Sequence, residues 1–198
     1  MILPIYLYGH PVLRTKGKNI SKNYPQLQQL IKDMFDTMYA AHGVGLAAPQ
    51  VGHSINLFIV DASPFAEDED DKNITPEERK QLSAYKKVFI NTQIEKEEGE
   101  EWSFNEGCLS LPYIREDVLR KPTITISYLD ENFQPHTETV QGIAARIIQH
   151  EYDHTQGILF VDRISSFRRK MIAGKLKDIE KGLVVPKYKY KLYINCKV

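Results

Sequence analysis

The stretch VQGIAARIIQHEYDHTQG, residues 140–157, decides how the rest of this 198-residue chain is read. Its apolar positions predict a helix over 140–155, with Thr139 as the candidate N-cap and Gly157 as the stop. Inside it lies H-E-x-x-H: His150, Glu151 and His154. On a helix, residues four apart share a face, so both imidazoles can reach one ion. Ile143 and Ile147 lie on the same stripe and hold that face against a core. Glu151 sits one step round from His150, where its carboxylate can act on water at the ion without ligating it. The same spacing also fits two core histidines that bind nothing. Two histidines do not complete a metal site, so a further ligand must come from elsewhere.

Working outward, TITISYL at 123–129 alternates and, with a turn at Asp130-Glu131-Asn132 and a return at 134–139, predicts a hairpin. Further strands are expected at 55–60 (INLFIV, buried), 87–91, 92–96 and 158–161. A helix is expected over 24–42, with Pro25 in its first turn, an apolar face of Leu27, Leu30, Ile31, Met34, Phe35 and Met38, and Gly43 as C-cap. The glycine-rich GVGLAAPQVG follows at 43–52. Residues 63–86 read as a surface insertion. It holds the acidic run EDEDD at 67–71, taken as a solvated face, and TPEE, where Thr75 and Glu78 can form a capping box. Residues 165–181 read as a basic amphipathic helix with Ile172, Leu176 and Ile179 inward. Beyond Pro186, Tyr188, Tyr190, Leu192 and Ile194 predict a last strand. No repeat or linker divides the chain. Residues 1–198 are therefore expected to form one α+β domain: antiparallel strands around a central helix that carries the histidines, with a C-terminal helix plus tail at 165–198.

Lys+Arg and Asp+Glu are equal at 26 each, so net charge argues for neither a nucleic-acid nor a membrane role. The two cysteines, Cys108 and Cys196, are too few for a secreted disulfide framework and read as reduced thiols in a cytoplasmic protein. The N-terminus lacks a basic n-region and is broken by Pro4, Gly9 and Pro11, so it is a poor signal peptide. No apolar run approaches a membrane span.

The third ligand has several candidates. One zincin pattern continues H-E-x-x-H-x-x-G-x-x-H; Gly157 fits its glycine, but Phe160 stands where the last histidine would be. Glu180 lies on a later helix, in a stretch that looks solvated. Cys108, in EGCLSLP, is a soft ligand if a loop or strand brings it alongside. A lone cysteine is more often a small buried hydrophobe, and a Cys–His nucleophile competes with the metal reading.

Three stretches then agree. GVGLAAPQVG, EGCLSLP and QHEYDHTQG, in that order, resemble the signature motifs of the bacterial-type peptide deformylase family; YGHPVLR and VLRKPTITISYLD are also similar to it. The resemblance runs from about Ile5 to about Asp162. It implies a metal-dependent hydrolase that removes the N-formyl group from N-terminal formylmethionine of new polypeptides and releases formate. It implies that Cys108, His150 and His154 hold one divalent ion, Fe²⁺ in the cell with Zn²⁺ or another divalent ion as substitutes, at a site with an open fourth position. It makes Glu151 the proton carrier, and the Gln50 amide and the Leu109 N–H the oxyanion donors. It implies that substrate lies strand-like against backbone around Gly45. Gly43 and Gly107 also lack a Cβ, so a peptide can approach them closely, although ordinary turn glycines are as good a reading for Gly43. Val44, Ile143 and Ile147 are candidates for the methionine pocket or for plain core. Glu106 is a candidate anchor for the ligand loop, and Asp153 for pairing with Arg120. Thr155 departs from the family's more usual leucine.

The expected partners are N-formylmethionyl peptides and nascent chains, with no membrane and no DNA. The basic helix at 167–181 is a candidate ribosome contact or simply a solvated face. Two other functions compete. A zinc peptidase cutting internal bonds is opposed by Cys108 and Phe160. A metal-stabilised binding protein is opposed by Glu151 and Gln50, which a structural site does not need.

Overall fold

Strand β3 (Leu57–Asp61) is buried along its whole length. Phe58 and Val60 face one core cluster while Leu57 and Ile59 face another. Alternate residues point to opposite faces of a strand, so a strand covered on both sides must be apolar throughout. That is why Leu57, Phe58, Ile59 and Val60 make a continuous apolar run, which the polar Asp61 ends. The computed structural model describes residues 1–67 and 74–193. In it, β3 sits in a five-stranded antiparallel sheet ordered β2 (Gly45–Ala47), β3, β4 (Lys86–Glu98), β7 (Thr123–Leu129), β8 (Pro135–Gln141).

Helix α1 (Leu27–Ala40) packs on one face of this sheet and α4 (Gly142–Thr155) on the other. Every residue of α4 is buried except Gly142 and Tyr152. A helix enclosed all round must find partners for each polar side chain it carries, and α4 carries several. The hairpin β5 (Trp102–Cys108) and β6 (Leu111–Arg120) lies beside it. A third cluster joins β6 to α5 (Ser166–Glu180) and the N-terminal segment. The short β1 (Ile5–Tyr6) pairs in parallel with β9 (Tyr190–Lys191). These elements form the mixed, antiparallel architecture expected.

Several boundaries differ, each for a physical reason. Thr139 is no N-cap: it lies in β8 opposite Thr125, with their hydroxyl oxygens 3.2 Å apart. The start of α4 is capped instead from a distance, where the Ile143 N–H donates to Glu78 Oε1 at 3.2 Å. Glu78 belongs to α3 (Pro76–Ser83), in the segment read as a surface insertion. Thr75 does cap α3, accepting from the Glu78 N–H. Ile74 and Leu82 are buried against α4, and α2 (Ser63–Glu67) sets Phe65 against the same cluster. Most of EDEDD, residues 68–71, lies outside the described residues.

The strands expected at 87–91 and 92–96 are one bulged strand, β4. It bends at Asn91, whose φ of 53° is left-handed, a conformation asparagine tolerates. Residues 158–161 form no strand; Phe160–Asp162 is a 3₁₀ turn with Phe160 stacked on the His150 ring, centroids 6.0 Å apart. Pro25 precedes α1 rather than entering it, because Gln26 at φ 53° breaks the helical path.

At the other end of α1, His42 takes the left-handed position, so the Gly43 N–H reaches the Met38 carbonyl at 2.9 Å. Gly157 stops α4 as expected: at φ +75°, with an ideal Cβ 2.7 Å from the Arg14 carbonyl oxygen, only glycine fits. Ile194 and Cys196 lie outside the described residues.

Candidate active site

Two elements meet to build the site. Helix α4 presents His150 and His154 one turn apart, their ring centroids separated by 5.1 Å. Strand β5 delivers Cys108 at its last residue, after a register shift at Gly107/Cys108 that lets Cys108 pair with Leu111. Cys108 Sγ lies 3.2 Å from His154 Nε2, and one donor atom from each of the three residues lies within 4.8 Å of the others. Among the described residues this is the candidate metal cluster, and Glu180 is not part of it.

The donor set fits a divalent ion. A thiolate and two imidazoles suit zinc or ferrous iron, and three protein ligands leave a position open. The tautomer of His150 fits as well. Its Nδ1 is 2.8 Å from Glu106 Oε2. A carboxylate can only accept, so Nδ1 carries the proton and Nε2 keeps its lone pair for the ion.

Glu106 is itself held by cations. Arg120 Nε donates to its Oε1 at 2.7 Å and Nη2 to its Oε2 at 3.0 Å, while Arg146 Nη1 donates to Oε1 at 3.1 Å. Burial alone would raise the Glu106 pKa, but His150 and Arg120 hold it well below the usual carboxylate range. Arg120 also donates to Asp153 Oδ2 at 2.7 Å, and Arg163 closes the other side of Asp153. The cluster Glu106–Arg120–Asp153 thus ties the ligand strand to the ligand helix through buried, hydrogen-bonded charges.

Glu151 points into the same space. Its Oε2 has no hydrogen-bond partner among the described residues, and burial pushes its pKa up to about 7. Gly45 makes room for it, because an ideal Cβ there would sit 2.5 Å from Glu151 Oε1. Gly43 is also constrained, with an ideal Cβ 2.9 Å from Leu109 Cδ1. Gln50 lies in a 3₁₀ turn, Ala48–Val51, and is almost fully buried. Its Oε1 accepts from the Ala47 N–H at 2.8 Å, which fixes the amide so that Nε2 faces Ser110 Oγ at 3.3 Å and Cys108 Sγ at 3.6 Å.

A cleft of 440 Å³ opens beside these groups. Gly43, Val44, Gly45, Gly107, Leu109 and Ile147 line it. Ile143 does not: it is packed in the core one turn before Ile147. Further lining residues escaped the sequence reading, Arg146, Phe65 and Tyr188 among them. Arg146 stands one turn before His150, so the i, i+4 spacing that relates His150 to His154 also points to it. Phe65 comes from α2 and Tyr188 from the tail, and neither carries a local signal.

A family model described as polypeptide deformylase matches residues 2–170. The chain is 57% identical over 189 residues to a peptide deformylase of Christiangramia forsetii, covering 96% of this chain and 95% of that one. It is 54% identical over 191 residues to one of Flavobacterium johnsoniae, covering 96% of each. Among solved structures, a peptide deformylase from Legionella pneumophila superposes with a TM-score of 0.75 at 37% identity, over 92% of this chain and 98% of that one. One from Thermotoga maritima gives 0.71 at 34%, over 83% and 99%.

Proposed function

This chain belongs to the polypeptide deformylase family and is a hydrolase that removes the N-formyl group from nascent peptides; from that premise we propose how its own residues divide the work. Cys108, His150 and His154 hold one divalent ion, Fe²⁺ in the cell, with Zn²⁺ or another divalent ion able to use the same ligands. When bound, the ion supplies Lewis acidity, which makes a nucleophile of water near neutral pH and polarises the formyl carbonyl. Glu151 takes the proton from the attacking water and returns it to the leaving amine. The Gln50 Nε2 amide and the Leu109 N–H donate to the formyl oxygen as it gains charge. Val44 and Ile147 receive the methionine side chain. The peptide runs against backbone at Gly43, Gly45 and Gly107.

One observation carries this reading: the donor atoms of Cys108, His150 and His154 lie within 4.8 Å of one another, beside a buried Glu151 whose Oε2 has no partner among the described residues. The test is formate release from a short N-formylmethionyl peptide, with protein purified without oxygen and supplied with Fe²⁺. Release that a chelator abolishes supports the reading; no release from folded, metal-loaded protein overturns it.

Among the described residues no helix is long and apolar enough to cross a membrane. The substrate places the enzyme in the cytoplasm, where new chains emerge. We also assign α5 a salt-sensitive ribosome contact through Lys170, Lys175 and Lys177, which are exposed while Arg168 and Arg169 are engaged with Glu116 and Asp162. A ribosome pull-down at low salt that recovers none of the protein removes that contact.

A further inference from the structure

The family match ends at residue 170, yet the chain beyond it reaches the ligand loop. The tail returns along the N-terminal strand. The Ile5 N–H donates to the Lys189 carbonyl at 2.9 Å and the Leu7 N–H to the Lys191 carbonyl at 3.0 Å. This sets Tyr188 in the wall of the cleft, where its hydroxyl donates to the carbonyl of Leu109, the residue after Cys108. The next carbonyl, that of Ser110, accepts from the Tyr8 N–H at 2.8 Å. A second tie joins the same regions, with the Tyr113 hydroxyl donating to the Val185 carbonyl at 3.3 Å. Two successive carbonyls after the ligand cysteine are therefore held by opposite ends of the chain.

Residues 109 and 110 form the short connection between β5 and β6, since Cys108 pairs with Leu111. Tethering the carbonyls of such a turn restricts the backbone torsions of its residues, and with them the directions of their N–H groups. The Tyr188 ring packs on the cluster that holds Leu7, Leu111 and Ile179, so its hydroxyl is offered from a fixed base. Burial raises its pKa further above the ordinary 10, which keeps it a donor.

We propose that Tyr188 is a positioning residue for deformylation: through the Leu109 carbonyl, its hydroxyl aims the Leu109 N–H at the place where the formyl oxygen gains charge. This rests on the reading of Leu109 as an oxyanion donor and adds a part supplied by sequence outside the family match. An interaction that matters only as charge develops shows in kcat and leaves KM alone.

The test uses full-length Tyr188→Phe, which keeps the ring and removes the hydroxyl, with Tyr190→Phe as a control on the same tail. Cys108-Leu109 is the only Cys-Leu pair in the sequence. Zinc-loaded protein with ¹³C-carbonyl cysteine and ¹⁵N-leucine therefore gives a single carbonyl-correlated amide peak, that of Leu109. In Tyr188→Phe the peak is expected to move and its proton to exchange faster. At full zinc content, kcat should fall about tenfold, with KM within about twofold, the scale of one lost hydrogen bond. Tyr190→Phe should leave both unchanged. An unmoved peak, an unchanged kcat, a loss that merely tracks lost zinc, or an equal effect of Tyr190→Phe overturns the proposal. The peak is read without turnover, so a wild-type protein that releases no formate would defeat the functional reading separately.

Discussion

Glu151 and Cys108 carry different burdens, and single substitutions separate them. Glu151 is not among the three clustered donors, so Glu151→Gln should retain the ion while losing turnover by at least about 100-fold, the usual scale of a lost general base. Metal analysis beside formate release checks this, and normal turnover would remove the proton-transfer role. Cys108→Ala removes the only thiolate of the cluster, and two histidines remain. That variant should purify with little metal; a fully loaded one would remove Cys108 from the ligand set. At this scale the sequence was informative about types and spacing. H-E-x-x-H identified the two imidazoles and the carboxylate, because helical periodicity is a local property. Spacing alone left Cys108 and Glu180 both open, since neither is adjacent in the chain to the histidines. Ile143 was read as a pocket candidate on the same periodicity, but a stripe says which way a residue faces and not where the cleft ends.

At the scale of the element, α4 shows how a helix can depend on a partner far along the chain. Its N-cap residue, Gln141, makes no side-chain cap hydrogen bond, and the Ile143 N–H is satisfied by Glu78 Oε1 from α3. Glu78→Ala should therefore lower stability by about 1 kcal/mol, as loss of a helix cap does. Thermal melting of the metal-free protein would measure it, and an unchanged melting temperature would show that solvent replaces the cap. The expected cap, Thr139, was a reasonable reading of local pattern. It failed because β8 runs on to Gln141 and claims Thr139 for the hairpin. Asn91 is a similar case: two adjacent strands were legible, but not that one left-handed residue joins them in a single bent strand. By contrast Gly157 and the inward face of α5 were legible because helix stops and amphipathic stripes are set within one or two turns.

Across the whole molecule, distant segments are tied by ion pairs. Asp162 pairs with Arg14 from the N-terminal segment and with Arg169 of α5, and it accepts from the Leu159 N–H at 2.9 Å. Burial would raise its pKa, yet Arg14 and the Leu159 N–H hold it below the ordinary 3.8. A carboxylate with a depressed folded pKa contributes stability that is fully present above its unfolded value and is lost as pH falls through the folded one. Asp162→Asn should thus be less stable than wild type by a constant amount above about pH 5, and the gap should close below about pH 4. Denaturant melts across that range decide it; a gap that persists at low pH would assign the loss to packing instead.

By itself the sequence determined the class of chain, the helix that carries the two histidines, the alternating hairpin of β7 and β8, and the glycine stop at residue 157. It also held three motifs whose order resembles one enzyme family. All of these are local: a periodicity, a cap or a short run is specified by neighbours within a few residues. Only the tertiary structure decided that Cys108 Sγ stands 3.2 Å from His154, that Arg120 and Arg146 hold Glu106 beneath His150, and that Glu78 caps α4. It alone brought Tyr188 to Leu109 across 79 residues of chain. Such contacts leave no mark on the residues between them, because their energy exists only once burial has brought the two segments together and left each polar group needing a partner.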